Sequence, residues 1–260
     1  MLPRMPKLPR PWRRRPKTQP AWSLALAIAL LGVASSACER PAPPRPSAAE
    51  FVASQEKLYS QNDEELLIRY HFDDRRDGVF VDVGAFHWKN ASTTLYLEKH
   101  LGWTGLAIDA NPRFGPGYAE NRPGSEFVSY FVSDHSGDTE DLFEAGPLSS
   151  TSEEHIRSFP NMKESDLDQI EVPTITLDDL LESRGIEEID FLSMDIELGE
   201  PKALAGFDIE RFRPELVCIE ASRAVREPIS KYFAEHGYER IDEYLPLDSV
   251  NWYFRPRRDP

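Results

Sequence analysis

Cysteine is nearly absent: the chain has two in 260 residues. A disulfide-stapled scaffold needs several pairs, and a cysteine-rich structural zinc site needs up to four ligands at tight spacing, so packing must hold this fold. Positive charge is also scarce, with 30 Lys and Arg against 45 Asp and Glu and a formal net charge of −15. Seven of the basic residues, and no acidic one, fall in residues 1–37, which leaves −22 on everything after them. So acidic a body repels nucleic-acid phosphates and argues against a nucleic-acid partner. Long apolar runs are missing as well. The stretch AWSLALAIALLGVA over residues 21–34 has fourteen residues, short of the ~20 that a spanning helix needs. What remains is an ordinary globular composition, 40% hydrophobic and 29% charged, suited to one domain of about 200 residues or two small ones.

The first 37 residues have the layout of an export signal. Arg4, Lys7, Arg10, Arg13, Arg14, Arg15 and Lys17 form a basic lead, the apolar run follows, and Ser35, Ser36 and Ala37 stand before Cys38. Two kinds of processing converge on the same bond: a small-residue cleavage site with Ser35 and Ala37 at −3 and −1, or a bacterial lipoprotein signal in which Cys38 becomes the lipidated first residue. Ser35 stands where a lipobox usually has Leu. Either route predicts a protein exported to the cell envelope, with membrane association through the signal or a lipidated Cys38; a start placed too early would leave it in the cytoplasm. Ten of the 22 prolines lie before residue 47, and residues 38–50 read as an extended, semi-rigid tether.

Residues 51–77 carry Phe51, Leu58, Leu66, Leu67 and Tyr70 at loose helical spacing and predict one or two leading helices. From residue 78 to 256 short β-branched runs alternate with amphipathic segments: VFVDV (79–83), a helix over 92–101, GLAID (105–109), FVSYFVS (127–133) and a short strand near 142–143. After a polar stretch come VPTIT, the helix TLDDLLESRG, IDFLSMD (189–195), a helix ending near Gly206, ELVCIEA (215–221), a helix around 229–236, and the terminal runs YERI and VNWYF. The pattern predicts a mostly parallel sheet with helices on both faces and an antiparallel edge hairpin at the C-terminus. Thr176 is placed to cap the TLDDLLESRG helix, Asp178 and Asp179 suit its first turn, and Gly185 stops it. Residues 145–171 show no period and exceed the usual connection length, as a lid or a disordered segment would.

Ligands of an open parallel sheet bind beyond the carboxyl ends of its strands, near the point where strand order reverses. Five strand ends here carry acids: Asp82, Asp109, Asp134, Asp195 with Glu197, and Glu220. Gly84, just past the first strand, allows close backbone approach, yet the residues that follow it, His87 and Trp88 among them, include none of the further glycines that a dinucleotide loop needs. Asp109, 25 residues after Gly84, is placed to accept both hydroxyls of a ribose. A ribose site without a pyrophosphate cradle points to a nucleoside ligand. The remaining histidines, at 71, 100, 135, 155 and 236, have no metal-ligand spacing. Cys218 lies mid-strand and reads as a small buried hydrophobe.

The run VFVDVGAFHWKNASTTLYLEKHLGWTGLAIDANPRF, the VSDHSGD segment, VPTITLDDLLESRGIEEIDFLSMDIELGEPKALAGFD and RPELVCIEA together resemble the FkbM-type family of S-adenosylmethionine-dependent methyltransferases. The resemblance implies a Rossmann-like class I methyltransferase fold, α/β with a mostly parallel seven-stranded sheet. It further implies O-methylation of a sugar or secondary-metabolite hydroxyl on a small-molecule or glycan acceptor. By the same resemblance Asp82 and Gly84 hold the methionine part of S-adenosyl-L-methionine, Asp109 the ribose, and Asp134 with its neighbours the adenine edge; Asp195, Glu197 and Glu200 match the acidic cluster after the fourth strand. Two departures stand out. Trp88 replaces a glycine, and the family's D-x-E-G-x-E run reads DIELGE over 195–200, its glycine displaced by one.

Methyl transfer is an in-line displacement at a sulfonium carbon, so the acceptor oxygen must be aligned and relieved of its proton. His87 is one base that position suggests, with Asp195 or Glu197 as competitors. Alternatively Asp195, Glu197 and Glu220 hold a magnesium-like hard cation (Mg2+) that lowers the hydroxyl pKa. An export signal and a cytoplasmic methyl donor pull in opposite directions, and with Trp88 and the displaced Gly199 they raise a second reading: an exported binding module with a methyltransferase fold and no turnover.

Overall fold

A computed structural model describes residues 44–144 and 168–258. The basic lead, the apolar run, Cys38 and most of the tether lie outside the described residues, as does most of the stretch expected to be a lid. Among the described residues no helix is long and apolar enough to cross a membrane.

Two helices lead, α1 (Ala48–Ser54) and α2 (Glu64–Phe72), and α1 begins within the last residues read as tether. Ser47 and Glu50 close a capping box at the start of α1, each side chain taking up a backbone N–H that the helix leaves free. Strands β1 (Val79–Val83), β2 (Thr104–Asp109) and β3 (Ser125–Ser129) follow, with α3 (Leu95–Leu101) and α4 (Gly115–Asn121) between them. Then come β4 (Phe131–Val132), β5 (Thr139–Glu144), β6 (Asp168–Ile175), α5 (Leu177–Arg184), β7 (Phe191–Met194), α6 (Glu200–Ala205) and α7 (Ile209–Phe212). The chain closes with β8 (Leu216–Glu220), α8 (Arg226–Glu235), β9 (Tyr238–Arg240) and β10 (Asn251–Pro256).

Seven strands form one sheet in the order β3-β2-β1-β7-β8-β10-β9. The first five run parallel and β10 is antiparallel to both β8 and β9. The expected doubly wound sheet with an antiparallel C-terminal hairpin is therefore present, with β10 inserted inside β9. Side chains alternate across each strand, and the alternation builds a core on each face of the sheet. Val79, Val81 and Val83 pack on one face with Leu180 of α5, Leu204 of α6 and Phe233 of α8. Phe80 points the other way, with Leu67 and Phe72 of α2 and Leu97 of α3. All five β1 residues are buried, as a strand covered on both faces requires.

Three details depart from the sequence expectation. The run 127–133 is not one strand: the chain leaves the large sheet at Tyr130, and β4 joins a second sheet ordered β4-β6-β5. The strand expected around VPTIT extends back to Asp168 and pairs antiparallel with β5, Leu142 opposite Ile170. Finally, α3 starts at Leu95 rather than at 92, with Ser92 Oγ accepting from the Leu95 N–H at 3.2 Å.

Candidate active site

Strand order reverses between β1 and β7, since the chain runs outward through β2 and β3 before it returns to β7 on the far side of β1. A cavity of about 380 Å³ opens there, beyond the carboxyl ends of β1, β2, β7 and β8, the position and size expected of a small-molecule site. Its walls include Asp82, Gly84, Asp109, Asp195, Glu197 and Glu220, so six of the residues singled out from sequence converge on it.

Gly84 has φ +84, and a Cβ there would lie 1.7 Å from the Asp195 carbonyl oxygen. The absence of a side chain therefore lets the ends of β1 and β7 meet, at a position that also lines the cavity. The same turn is tied to β2, because the Gly84 and Ala85 N–H groups both donate to the Ile108 carbonyl. Phe86 continues it at φ +48. Its N–H donates to Asp109 Oδ2 at 2.8 Å, while Asp109 Oδ1 accepts from the Asn111 N–H, also at 2.8 Å. Burial lifts the Asp109 carboxyl to about 6 against these two hydrogen bonds. The carboxylate is thus fixed in orientation, with its remaining lone pairs free for a ligand's hydroxyl groups. Asp82 is 4% exposed; it accepts from Thr94 Oγ1 at 2.8 Å and from Ser193, and burial pushes its pKa up.

The third acidic group is denser than the sequence suggested. Asp195, open to the cavity, has its pKa raised by close enclosure in the protein and by the charges of Glu220 and Glu197. Burial and the neighbouring acids push both Glu200 and Glu220 to about 7. Asp195, Glu200 and Glu220 each bring a carboxylate oxygen within 4.8 Å of the other two. Glu200, which sequence alone left as equally a first-turn helix charge, is completely buried, and it takes the place in this trio that had been read as Glu197. Glu197 lines the cavity beside the trio.

Two sequence assignments are not brought to the cavity. His87 lies outside its walls, and its Nδ1 accepts from the N–H groups of Lys89 and Asn90 at 3.0 and 3.1 Å. The ring nitrogen that faces protein is therefore occupied in holding a turn, which removes the ground for His87 as base. Asp134 is exposed, bonded to His135 and Ser133, and lowered in pKa chiefly by the His135 bond. Strand order explains this: β4 has left the large sheet, so its neighbours Tyr130, Phe131 and Val132 reach the cavity and Asp134 does not.

Trp88 does not plug the crevice. Its indole covers Gly117 of α4, where a Cβ would sit 2.5 Å from Trp88 Cδ1, and the feature that favoured a fold without turnover is thereby accounted for as packing. Other contributors were invisible in sequence. Glu64 of α2 lines the far wall, accepting from Asn62 and from Asn251 of β10, and Phe86 meets Phe114 edge-on at 4.8 Å to form an apolar one. Only tertiary contact brings these together, and no local pattern announces it.

The cavity matches the chemistry of S-adenosylmethionine: carboxylates for a sulfonium and an ammonium group, Asp109 for ribose hydroxyls, and aromatic walls for a purine. A sequence model described as the methyltransferase FkbM domain matches residues 82–243, more than half of the chain. No curated protein matches it. Among solved structures, a TehB-like S-adenosylmethionine-dependent methyltransferase from Corynebacterium glutamicum is similar at 15% identity, over 80% of this chain and 94% of that one, with a TM-score of 0.43. A precorrin-6y C5,15-methyltransferase from Geobacter metallireducens follows at 14% identity, 74% and 79% coverage and a TM-score of 0.39. A third, a methyltransferase from Geobacter sulfurreducens in complex with S-adenosyl-L-homocysteine, has 8% identity, 78% coverage of each chain and a TM-score of 0.38. Overlaps this loose carry no functional weight beside the family match.

Proposed function

The chain belongs to the FkbM family of S-adenosylmethionine-dependent methyltransferases, and from that premise we propose that it methylates a hydroxyl of a sugar or secondary-metabolite acceptor. The observation that carries the reading is the convergence of Asp82, Asp109, Asp195, Glu197 and Glu220 on one cavity at the strand-order reversal. S-adenosylmethionine supplies an electrophilic methyl carbon. Asp82 and the Gly84 turn bind its methionine part, Asp109 accepts from its ribose, and Phe114, Tyr130 and Phe131 cover its base. Bound there, the donor would supply the methyl group to the acceptor oxygen and be left as neutral S-adenosylhomocysteine, while Glu197 would take the proton that the acceptor hydroxyl gives up. The acidic rim also suits a magnesium-class cation, which would lower the pKa of the acceptor hydroxyl.

The test is calorimetry with S-adenosylhomocysteine. Saturable heat that is lost in Asp109→Ala supports the reading, and a folded protein that gives no heat at millimolar ligand overturns it. We further propose that the chain acts in the cell envelope, anchored through its leader or Cys38. Mass spectrometry of the mature amino terminus checks this: a terminus at Cys38 supports it, and an intact leader on a cytoplasmic protein overturns it.

A further inference from the structure

The methyl donor leaves part of the cavity wall without a role. Glu200 sits at the first position of α6 with none of its surface exposed. Its Oε1 accepts from the Ile196 N–H at 3.0 Å, but its Oε2 has no hydrogen-bond partner among the described residues. Glu220 Oε2 is buried and unpartnered in the same way. Leaving a buried acceptor unmade costs about 1–3 kcal/mol, and more when it is charged. None of Asp195, Glu200 and Glu220 forms a salt bridge with a described Lys, Arg or His. Three carboxyl groups therefore converge, two of them with a buried oxygen that has no hydrogen-bond partner among the described residues, and a bound cation would supply that partner and hold the acids in their ionised form.

The spacing says what. Hard divalent cations sit about 2.0–2.6 Å from their oxygen ligands, so two ligands of one ion are at most about 4–5 Å apart. The three carboxylate oxygens here lie within 4.8 Å of one another. An all-oxygen, all-anionic set with no His or Cys selects a hard ion over zinc or copper. The trio is also open on one side, since Asp195 and Glu220 both line the cavity, which leaves coordination positions for water and for an acceptor oxygen.

We propose that Asp195, Glu200 and Glu220 bind a divalent hard cation of the magnesium class at the acceptor side of the cavity. The ion polarises the acceptor hydroxyl and so eases loss of its proton to Glu197, which lies outside the trio; this role rests on the methyltransferase reading, whereas the binding site does not. Position 200 is the discriminating one, because it replaces Glu197 in the set that the sequence pattern suggested.

The experiment is a titration of the metal-stripped full chain with Mn2+, followed by electron paramagnetic resonance, with Mg2+ added as competitor. The wild type is expected to bind one Mn2+ that Mg2+ displaces. Glu200→Gln and Glu220→Gln, each checked for a cooperative unfolding transition, should each weaken it by about tenfold or more, and Glu197→Gln should not. Absence of a displaceable Mn2+ in the wild type overturns the site, as does a Glu220→Gln protein that binds Mn2+ like the wild type. Heat from S-adenosylhomocysteine, measured on the same wild-type sample, separates the two readings: ligand heat without Mn2+ removes only the metal, and Mn2+ without ligand heat removes only the methyl donor.

Discussion

Leu198 accounts for the displaced glycine of the acidic run. It adopts φ +76 and Glu197 before it φ +52, whereas Gly199, the glycine that is present, has φ −80, where any residue is comfortable. The left-handed turn thus falls where the family places glycine, and this chain bends a leucine into it. A non-glycine residue there costs roughly 1–2 kcal/mol, offset here because Leu198 packs against the large core. Leu198→Gly should accordingly change stability by no more than about 1 kcal/mol, not the 2–5 kcal/mol usual for truncating a buried leucine. Denaturant unfolding checks this, and a loss above about 2 kcal/mol means packing outweighs relief of the turn. Glu197, held in the same turn, is the proposed proton acceptor. In a tritiated methyl-transfer assay Glu197→Gln should lower turnover by about 10²–10⁴ while leaving S-adenosylhomocysteine affinity in place; equal losses in both would make it a binding residue instead.

At the scale of elements, the loop between β1 and α3 carries the turn at Gly84 that lines the cavity and is held from behind by one buried arginine. Arg122, 1% exposed at the end of α4, donates to Glu98 Oε2, the Trp88 carbonyl, Ser92 Oγ, Thr94 Oγ1 and Ser125 Oγ. Thr94 Oγ1 in turn donates to Asp82, so the guanidinium is linked to a cavity carboxylate through one hydroxyl. Arg122→Met strands Glu98, itself nearly buried, and should cost about 3–5 kcal/mol. Arg122→Lys keeps the charge but not the planar fork, and should recover part of the stability while S-adenosylhomocysteine affinity stays low. Calorimetry beside thermal unfolding checks the pair, and full affinity in Arg122→Lys would confine the residue to a purely structural role.

Elements with local signals were legible. The helix after Thr176 has its cap, Thr176 Oγ1 accepting from the Asp179 N–H at 3.1 Å, and its glycine stop at φ +66. Strands β1, β2, β7 and β8 announced themselves through short apolar runs, and the acids at their ends followed into the cavity. The small sheet was not legible, because β4 has only two residues, β5 and β6 are interrupted by acids, and the three are joined only by pairings distant in sequence. Asp134 was misplaced for that reason: its neighbourhood depends on which sheet β4 joins. Nor could spacing reveal that Trp88 answers Gly117, or that Glu200 points inward from the start of α6.

Across the whole molecule, proton binding, folding and cofactor binding are linked through the cavity acids. Asp109 has its pKa raised from 3.8 to about 6. Between those values the folded state holds more protons than the unfolded one, so its contribution to stability is complete below pH ~4 and lost as pH rises through about 6. Ligand binding has the opposite slope, because accepting from two ribose hydroxyls needs the ionised carboxylate. Below pH 6 wild-type affinity for S-adenosylhomocysteine should therefore weaken by about tenfold per pH unit, level off near neutrality, and show no such break in Asp109→Asn. In unfolding scans, excess ligand should raise the wild-type midpoint more at pH 7 than at pH 5, since stabilisation follows the ratio of ligand concentration to dissociation constant. Asp109→Asn removes the titrating group and leaves its neighbours in place, so subtracting its profile from the wild type cancels the other acids of the cavity. A wild-type affinity that stays flat from pH 5 to 7 would mean that the ribose is held elsewhere, and that the two backbone hydrogen bonds to Asp109 serve only to close the turn.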